Sequence, residues 1–204
     1  MAVPCAFQMS LSDSLNDSDS SSDEDREVDL SPLKVDWLDV SSYGFLGSLG
    51  ITSLPDDLEA LDIHDVYVLC TKGELSKYRV SKYITELTSR DSVNVHHYPF
   101  MDGQTPLLSN LLKMIAEIRE NLMTQNKVLI HCYGGLGRSS LVSVCLLLQM
   151  DAQLTVEDAV QKLKDLRGSS AIQSVKQFNF IHEFREKSAE YESNTEAADR
   201  PVSR

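Results

Sequence analysis

"VLIHCYGGLGRSSLVSVCLLL", residues 128–148, decides how the rest of the chain is read. An apolar run stops at Cys132, a loop with three glycines carries the chain to Arg138, and a second apolar run follows. The first run has the length of a buried strand and the second that of a buried helix, which makes the segment a strand–loop–helix unit. Gly134, Gly135 and Gly137 let backbone N–H groups turn inward around an anion, and the start of the helix adds its positive end. A nucleotide-binding loop would finish with a lysine and a hydroxyl residue. Here Arg138 offers a planar fork for two phosphate oxygens, which a lysine cannot do. The expected phosphate cradle is therefore Tyr133, Gly134, Gly135, Leu136, Gly137 and Arg138, headed by a thiol.

That thiol changes binding into attack. A helix N-terminus favours the thiolate, the reactive form, and a thiolate attacking phosphorus forms a covalent phosphocysteine. The leaving alkoxide then needs a general acid. "YPFMDGQTP" (98–106) offers Asp102, in a glycine-containing loop between a strand and a helix at the same sheet edge. His131 is a poorer partner, because neighbours on a strand point to opposite faces; it is expected to hydrogen-bond within the structure and shape the loop. Ser139 can donate to the sulfur and ease its departure. Cys145 lies in an apolar helix and reads as a core residue. Cys70, at another strand end, reads either as a plain buried thiol or as a disulfide partner for Cys132 under oxidation.

The 204 residues, 42% of them hydrophobic, suffice for one domain with tails. No apolar stretch reaches the length of about eighteen residues that suggests a membrane span, and the N-terminus lacks the layout of a secretory signal. Four cysteines (Cys5, Cys70, Cys132 and Cys145) form neither a disulfide framework nor a zinc pattern. A reducing, intracellular setting is expected, in the cytoplasm or in and around the nucleus. No metal or other cofactor is called for. The net charge of −12 argues against nucleic acid, and no membrane partner is expected. Much of that charge lies in residues 1–33, which hold eight acids and one base. "SDSLNDSDSSSDEDREVD" (12–29) is too polar to bury a core and reads as a disordered acidic tail. Its Ser18, Ser20 and Ser21 fit an acidophilic kinase, or the tail is simply solubilising.

Between a tail at 1–33 and a flexible end at 193–204, the domain at 34–192 alternates strand and helix patterns. Strands are expected at 34–40, 44–49, 66–70, 94–100 and 127–132. Helices are expected at 77–90, at 105–125 with Thr105 as cap, at 138–150, from a Thr155 cap to Gly168, and at 174–191. Such alternation predicts an α/β fold with a mostly parallel central sheet flanked by helices. Sites in these sheets lie beyond the carboxyl ends of the strands, where Cys132 falls.

"HCYGGLGRSS" (131–140) resembles the signature of the cysteine-dependent protein phosphatases, and the order of acid loop and cysteine loop resembles their dual-specificity branch. "CTKGELSKYRV" (70–80), "DGQTP" (102–106) and "DLRGSSAIQSVKQFNFIHEFR" (165–185) narrow the resemblance to the kinase-associated phosphatase family, across roughly residues 34–190. The resemblance implies a dual-specificity hydrolase acting on the activation-segment phosphothreonine of a cyclin-dependent kinase, in cell-cycle control. It makes Cys132 the nucleophile, Arg138 the clamp, Asp102 the acid and Gln173 the residue that positions water. It places kinase docking on the last helix, where Phe178, Phe180 and Phe184 either face the partner or fill the core. Between "FLG" (45–47) and "CTKGEL" (70–75) the chain is shorter than the family pattern, leaving room for a brief helix at 56–61.

Two rivals carry different signatures. An inositide phosphatase would place lysines inside the loop, where Tyr133 and Leu136 stand. A non-catalytic kinase-binding module would need the last helix but not Cys132.

Overall fold

Alternation along the central strands sets the layers. In Asp65–Val68 (β3) and Lys127–His131 (β5), Val66, Val68 and Leu129 face one core, while Tyr67, Val128 and Ile130 face another. Strands apolar on both sides need cover on both sides. The computed structural model describes residues 34–55, 58 and 61–198, with side chains to residue 195. The acidic stretch 1–33 and residues 199–204 lie outside the described residues, as does most of the helix expected at 56–61.

With Asp36–Leu38 (β1), Ser48–Thr52 (β2) and Asn94–His97 (β4), the sheet has the order β1-β2-β5-β3-β4. Only the β1–β2 pair is antiparallel; β2–β5, β5–β3 and β3–β4 are parallel. The larger core gathers Leu108–Met123 (α3), Gly137–Met150 (α4), Val156–Arg167 (α5) and Val175–Ala198 (α6) against one face. Lys72–Lys77 (α1) and Tyr83–Thr88 (α2) cover the other through Leu75 and Leu87. The expected mostly parallel, helix-flanked sheet is the fold observed. Among the described residues no helix is long and apolar enough to cross a membrane.

Several boundaries differ from expectation, each for a local reason. The strand expected at 44–49 runs instead from Ser48 to Thr52, because Gly44 turns at φ 82° to close a short 3-10 turn. Gly50 stands opposite Trp37, and a Cβ there would come within 3.3 Å of the indole, so this mid-strand glycine marks close packing. The helix expected at 77–90 is two helices. Thr71 and Glu74 form a capping box that starts α1 early, and Arg79, at φ 61°, breaks the chain before α2. Thr105 does not cap α3. Leu107 is extended, and the preceding loop is tied to α6, where Ser174 Oγ donates to Gly103 O at 2.7 Å. Thr155 caps α5 as expected, accepting from Asp158 N, and Gly168 ends it at φ 93°. The last helix continues through Ala198, past Glu192 and into the stretch read as a flexible end.

Candidate active site

The residues singled out in the sequence converge at the carboxyl edge of β5. Cys132 is buried, with Sγ 3.4 Å from Ser139 Oγ in the first turn of α4. The loop between them is shaped by Gly135, which alone among its glycines takes a positive φ, 65°. A Cβ on Gly135 would meet Arg167 Nη2 at 2.4 Å and Thr52 backbone atoms at 2.5 Å. Arg167 holds the loop from outside. Its Nε donates to Gly135 O at 2.9 Å, and its Nη1 pairs with the Asp36 carboxylate. Leu54 N donates to Tyr133 O at 2.9 Å, fixing the next turn of the loop.

Arg138 is 1% exposed. Its Nη1 donates to Glu74 Oε2 at 2.8 Å, Phe100 O at 3.0 Å and Leu69 O at 3.2 Å, and its Nη2 to Glu74 Oε1 at 2.7 Å. Guanidinium has five N–H bonds. The Nη1 pair and one Nη2 hydrogen are committed, while Nε makes no hydrogen bond within the described structure. Nε and the second Nη2 hydrogen form one edge of the fork, the two-point donor that a phosphate takes. Burial opposes the charge on Arg138, but its hydrogen bonds to Glu74 and the pull of the nearby Cys132 and Glu74 groups outweigh it and raise its pKa.

Asp102 Oδ1 lies 3.4 Å from Arg138 Nε, and its side chain is 63% exposed. Its loop is clamped by the start of α6, where Ser174 holds Gly103, Gln177 Nε2 donates to Gln104 O at 3.4 Å, and Lys176 pairs with Gln104 Oε1. Gln173 stands on the same segment, and its Oε1 would be 2.5 Å from a Cβ on Gly137. Cys132, Arg138, Asp102, Ser139 and Gln173 are thus brought together.

His131 points away from the thiol, against Tyr83. The Tyr83 hydroxyl and His131 Nε2 are 3.1 Å apart, and His131 Nδ1 lies 3.4 Å from Cys132 O. Full burial drives its pKa down to about 4, so the ring is neutral and accepts the tyrosine proton. Cys70 is buried and, through desolvation, pushed up to about 12, a value that disfavours its thiolate. Cys145 is fully buried, as expected of a core residue.

The aromatic residues of the last helix separate. Phe178 is 45% exposed beside a groove of about 280 Å³ lined by Val160, Lys164, Ile172, Gln173 and other residues. Phe180 is partly buried against the core. Phe184 is 1% exposed and belongs to the larger core, on a helix packed against α4 and α3, so it cannot serve a docking surface. Glu74, Arg167, Tyr83 and Ser174 were missed by sequence reading. The Thr71-x-x-Glu74 spacing was a readable helix-start signal, whereas Arg167 and Tyr83 act across the fold with no local mark.

The chain matches the family model described as Cyclin-dependent kinase inhibitor 3 (CDKN3) over residues 4–160. It is 40% identical over 201 residues to Cyclin-dependent kinase inhibitor 3 of Homo sapiens, covering 91% of this chain and 94% of that one. Among solved structures it is similar to kinase associated phosphatase carrying serine for its catalytic-site cysteine. That match has a TM-score of 0.73 and 39% identity, over 79% of this chain and 98% of the other. A likeness to Tk-PTP in its active form has a TM-score of 0.56 and 28% identity, over 68% and 92%.

Proposed function

We propose a reaction path and a target for this chain from one premise: it belongs to the cyclin-dependent kinase inhibitor 3 family. It is a protein phosphatase, a hydrolase with the dual-specificity fold. In the path, the Cys132 sulfur attacks phosphorus and the bond to the substrate oxygen breaks. Asp102 gives its proton to that oxygen. Water, oriented by Gln173, then attacks the phosphocysteine while the Asp102 carboxylate takes up its proton. Sulfur leaves as thiolate, with the Ser139 hydroxyl 3.4 Å away to donate to it.

The observation that carries this reading is the division of labour on Arg138. Glu74 and two backbone carbonyls hold one side of the guanidinium, and the Nε edge faces Asp102. A phosphate dianion arriving on that edge brings two acids together over one cation, an arrangement that favours a shared proton. His131, neutral and tied to Tyr83, is a positioning residue for the loop.

The target in this reading is the activation-segment phosphothreonine of a cyclin-dependent kinase once cyclin has left, in cell-cycle control. Support comes from the names of two relatives, one a cyclin-dependent kinase inhibitor and one a kinase associated phosphatase. Phe178, Val175 and the adjoining groove, next to Gln173, give the kinase an exposed apolar surface to seat on. The experiment is Cys132→Ser assayed on a panel of phosphorylated cyclin-dependent kinases with and without cyclin. The serine variant should bind the phosphorylated kinase and leave the phosphate on; turnover by that variant, or indifference of the wild type to every kinase tested, would sink the reading.

A further inference from the structure

The helix that supplies Glu74 and the turn that follows it carry a group of cations with no part in the reaction. Lys72, Lys77, Arg79 and Lys82 are exposed, and none forms an ion pair with another described residue. Glu74 is the sole acid between residues 71 and 83, and its charge is taken up by Arg138. The segment therefore stands out as positive on a chain whose net charge is −12.

Geometry joins this charge to the catalytic loop. Glu74, Lys77 and Tyr78 fall at spacings of three and four, on one helix face. The Tyr78 ring stacks on Tyr133, the residue after Cys132, with centroids 3.7 Å apart and planes 11° from parallel. Lys77 Nζ lies 5.7 Å from the Tyr78 ring centroid. The two tyrosines remain 37% and 41% exposed, so they form an aromatic shelf at the rim, bordered by a cation. Arg79 follows in a left-handed turn fixed by two backbone hydrogen bonds, Arg79 N to Ser76 O at 3.0 Å and Val80 N to Leu75 O at 2.9 Å.

We propose that Lys77, Arg79 and the Tyr78–Tyr133 shelf form a specificity subsite that takes an acidic side chain beside the phosphorylated residue of a protein substrate. The proposal rests on the phosphoprotein phosphatase reading above. An acidic chain repels acidic partners least where its cations gather unpaired, and here Lys77 borders the ring that stacks on Tyr133, the residue after the reacting thiol. A flat ring pair with a lysine at its edge suits an extended peptide with a short acid. An inositide would instead call for cations inside the loop, where Tyr133 and Leu136 stand.

The test compares three phosphothreonine peptides that differ only in carrying Glu, Gln or Lys next to the phosphorylated residue, with para-nitrophenyl phosphate as the small substrate. Wild type should favour Glu over Gln and Gln over Lys in kcat/KM, by about threefold per step at low salt and less at high salt, as exposed charges behave. Lys77→Glu with Arg79→Glu should invert the order and leave the small substrate untouched; the neutral pair Lys77→Gln with Arg79→Gln should flatten it. A wild type that ignores the neighbour, or variants that keep its order, would overturn the subsite. So would loss of hydrolysis on vesicles containing a monophosphorylated inositide in the charge-reversed pair with peptide order unchanged, which would assign the cations to a lipid headgroup. Failure of wild type on every substrate, para-nitrophenyl phosphate included, would strike the phosphatase reading itself and is thereby told apart.

Discussion

Glu74 grips Arg138 with both carboxylate oxygens, 2.7 Å from Nη2 and 2.8 Å from Nη1, and is itself pinned by Thr71 N at 2.8 Å and Thr71 Oγ1 at 2.9 Å. One helix cap thus fixes both the start of α1 and the attitude of the phosphate clamp. Burial works against the Glu74 carboxylate, yet the bonds from Arg138 and Thr71 outweigh it and hold its pKa below the usual range. Glu74→Gln should destabilise the fold by roughly 3 kcal/mol, the low end for breaking a buried pair, since the carboxylate keeps some exposure. The sign with pH follows. A depressed carboxylate contributes stability above its unfolded pKa, about 4.3, and loses it as pH falls through its folded value. Urea melts should therefore show a deficit at neutral pH that closes in acid, together with a fall in kcat/KM.

Asp102 is the sharper catalytic test. Asp102→Asn should slow hydrolysis of a phosphothreonine substrate by roughly 10²–10⁴, the range for a lost general acid. With para-nitrophenyl phosphate, whose leaving group departs without help, the loss should shrink. Equal loss on both substrates would mean that Asp102 acts through Arg138, 3.4 Å away, and not on the leaving oxygen.

His131 predicts a slope in the pH dependence of stability. Its folded pKa of about 4 lies below the ordinary 6.5, chiefly because burial disfavours the charged ring. Between those values the unfolded chain binds a proton that the folded chain does not, so stability falls as pH drops, by up to about 1.4 kcal/mol per pH unit. Acid melts of His131→Asn, compared with wild type between those two values, should lack this increment. Tyr83→Phe, which removes the hydroxyl 3.1 Å from Nε2, should keep the slope but lower stability throughout.

How far the molecule was legible depended on how local each signal was. The thiol, the glycine loop and Arg138 lie within seven consecutive residues, 132–138, and strand–loop–helix chemistry can be read from such a run. The sheet was legible because its central strands are short apolar runs set between segments with the helical period of about 3.6. Glu74 was half legible, as a cap but not as the partner of Arg138, since no local rule says what a cap's second oxygen touches. Arg167 was invisible. Its partners Asp36 and Gly135 are 131 and 32 residues away, and only the finished fold brings them together. Phe178 and Phe184 illustrate the remaining limit. Both are aromatic and helical, but where α6 lands on α4 decides which is core and which is surface.

Gly134 and Gly135, adjacent and identical in type, should respond oppositely to alanine. At Gly134 an added Cβ has nothing within 4 Å, so Gly134→Ala should fold normally and retain most turnover. At Gly135 the backbone sits at φ 65°, where a side chain costs roughly 1–2 kcal/mol. The Cβ would also fall 2.5 Å from Thr52 backbone atoms. Thr52 cannot retreat, because it is paired with His131 across β2 and β5, one residue from the nucleophile. The Arg167 side chain, 2.4 Å away, could swing aside, but only by releasing Gly135 O and Asp36. Gly135→Ala should therefore lower stability and abolish most turnover, and adding Arg167→Ala should not restore either. Recovery in that double variant, measured by thermal melts and para-nitrophenyl phosphate turnover, would show that the arginine and not the Thr52 backbone sets the shape of the loop.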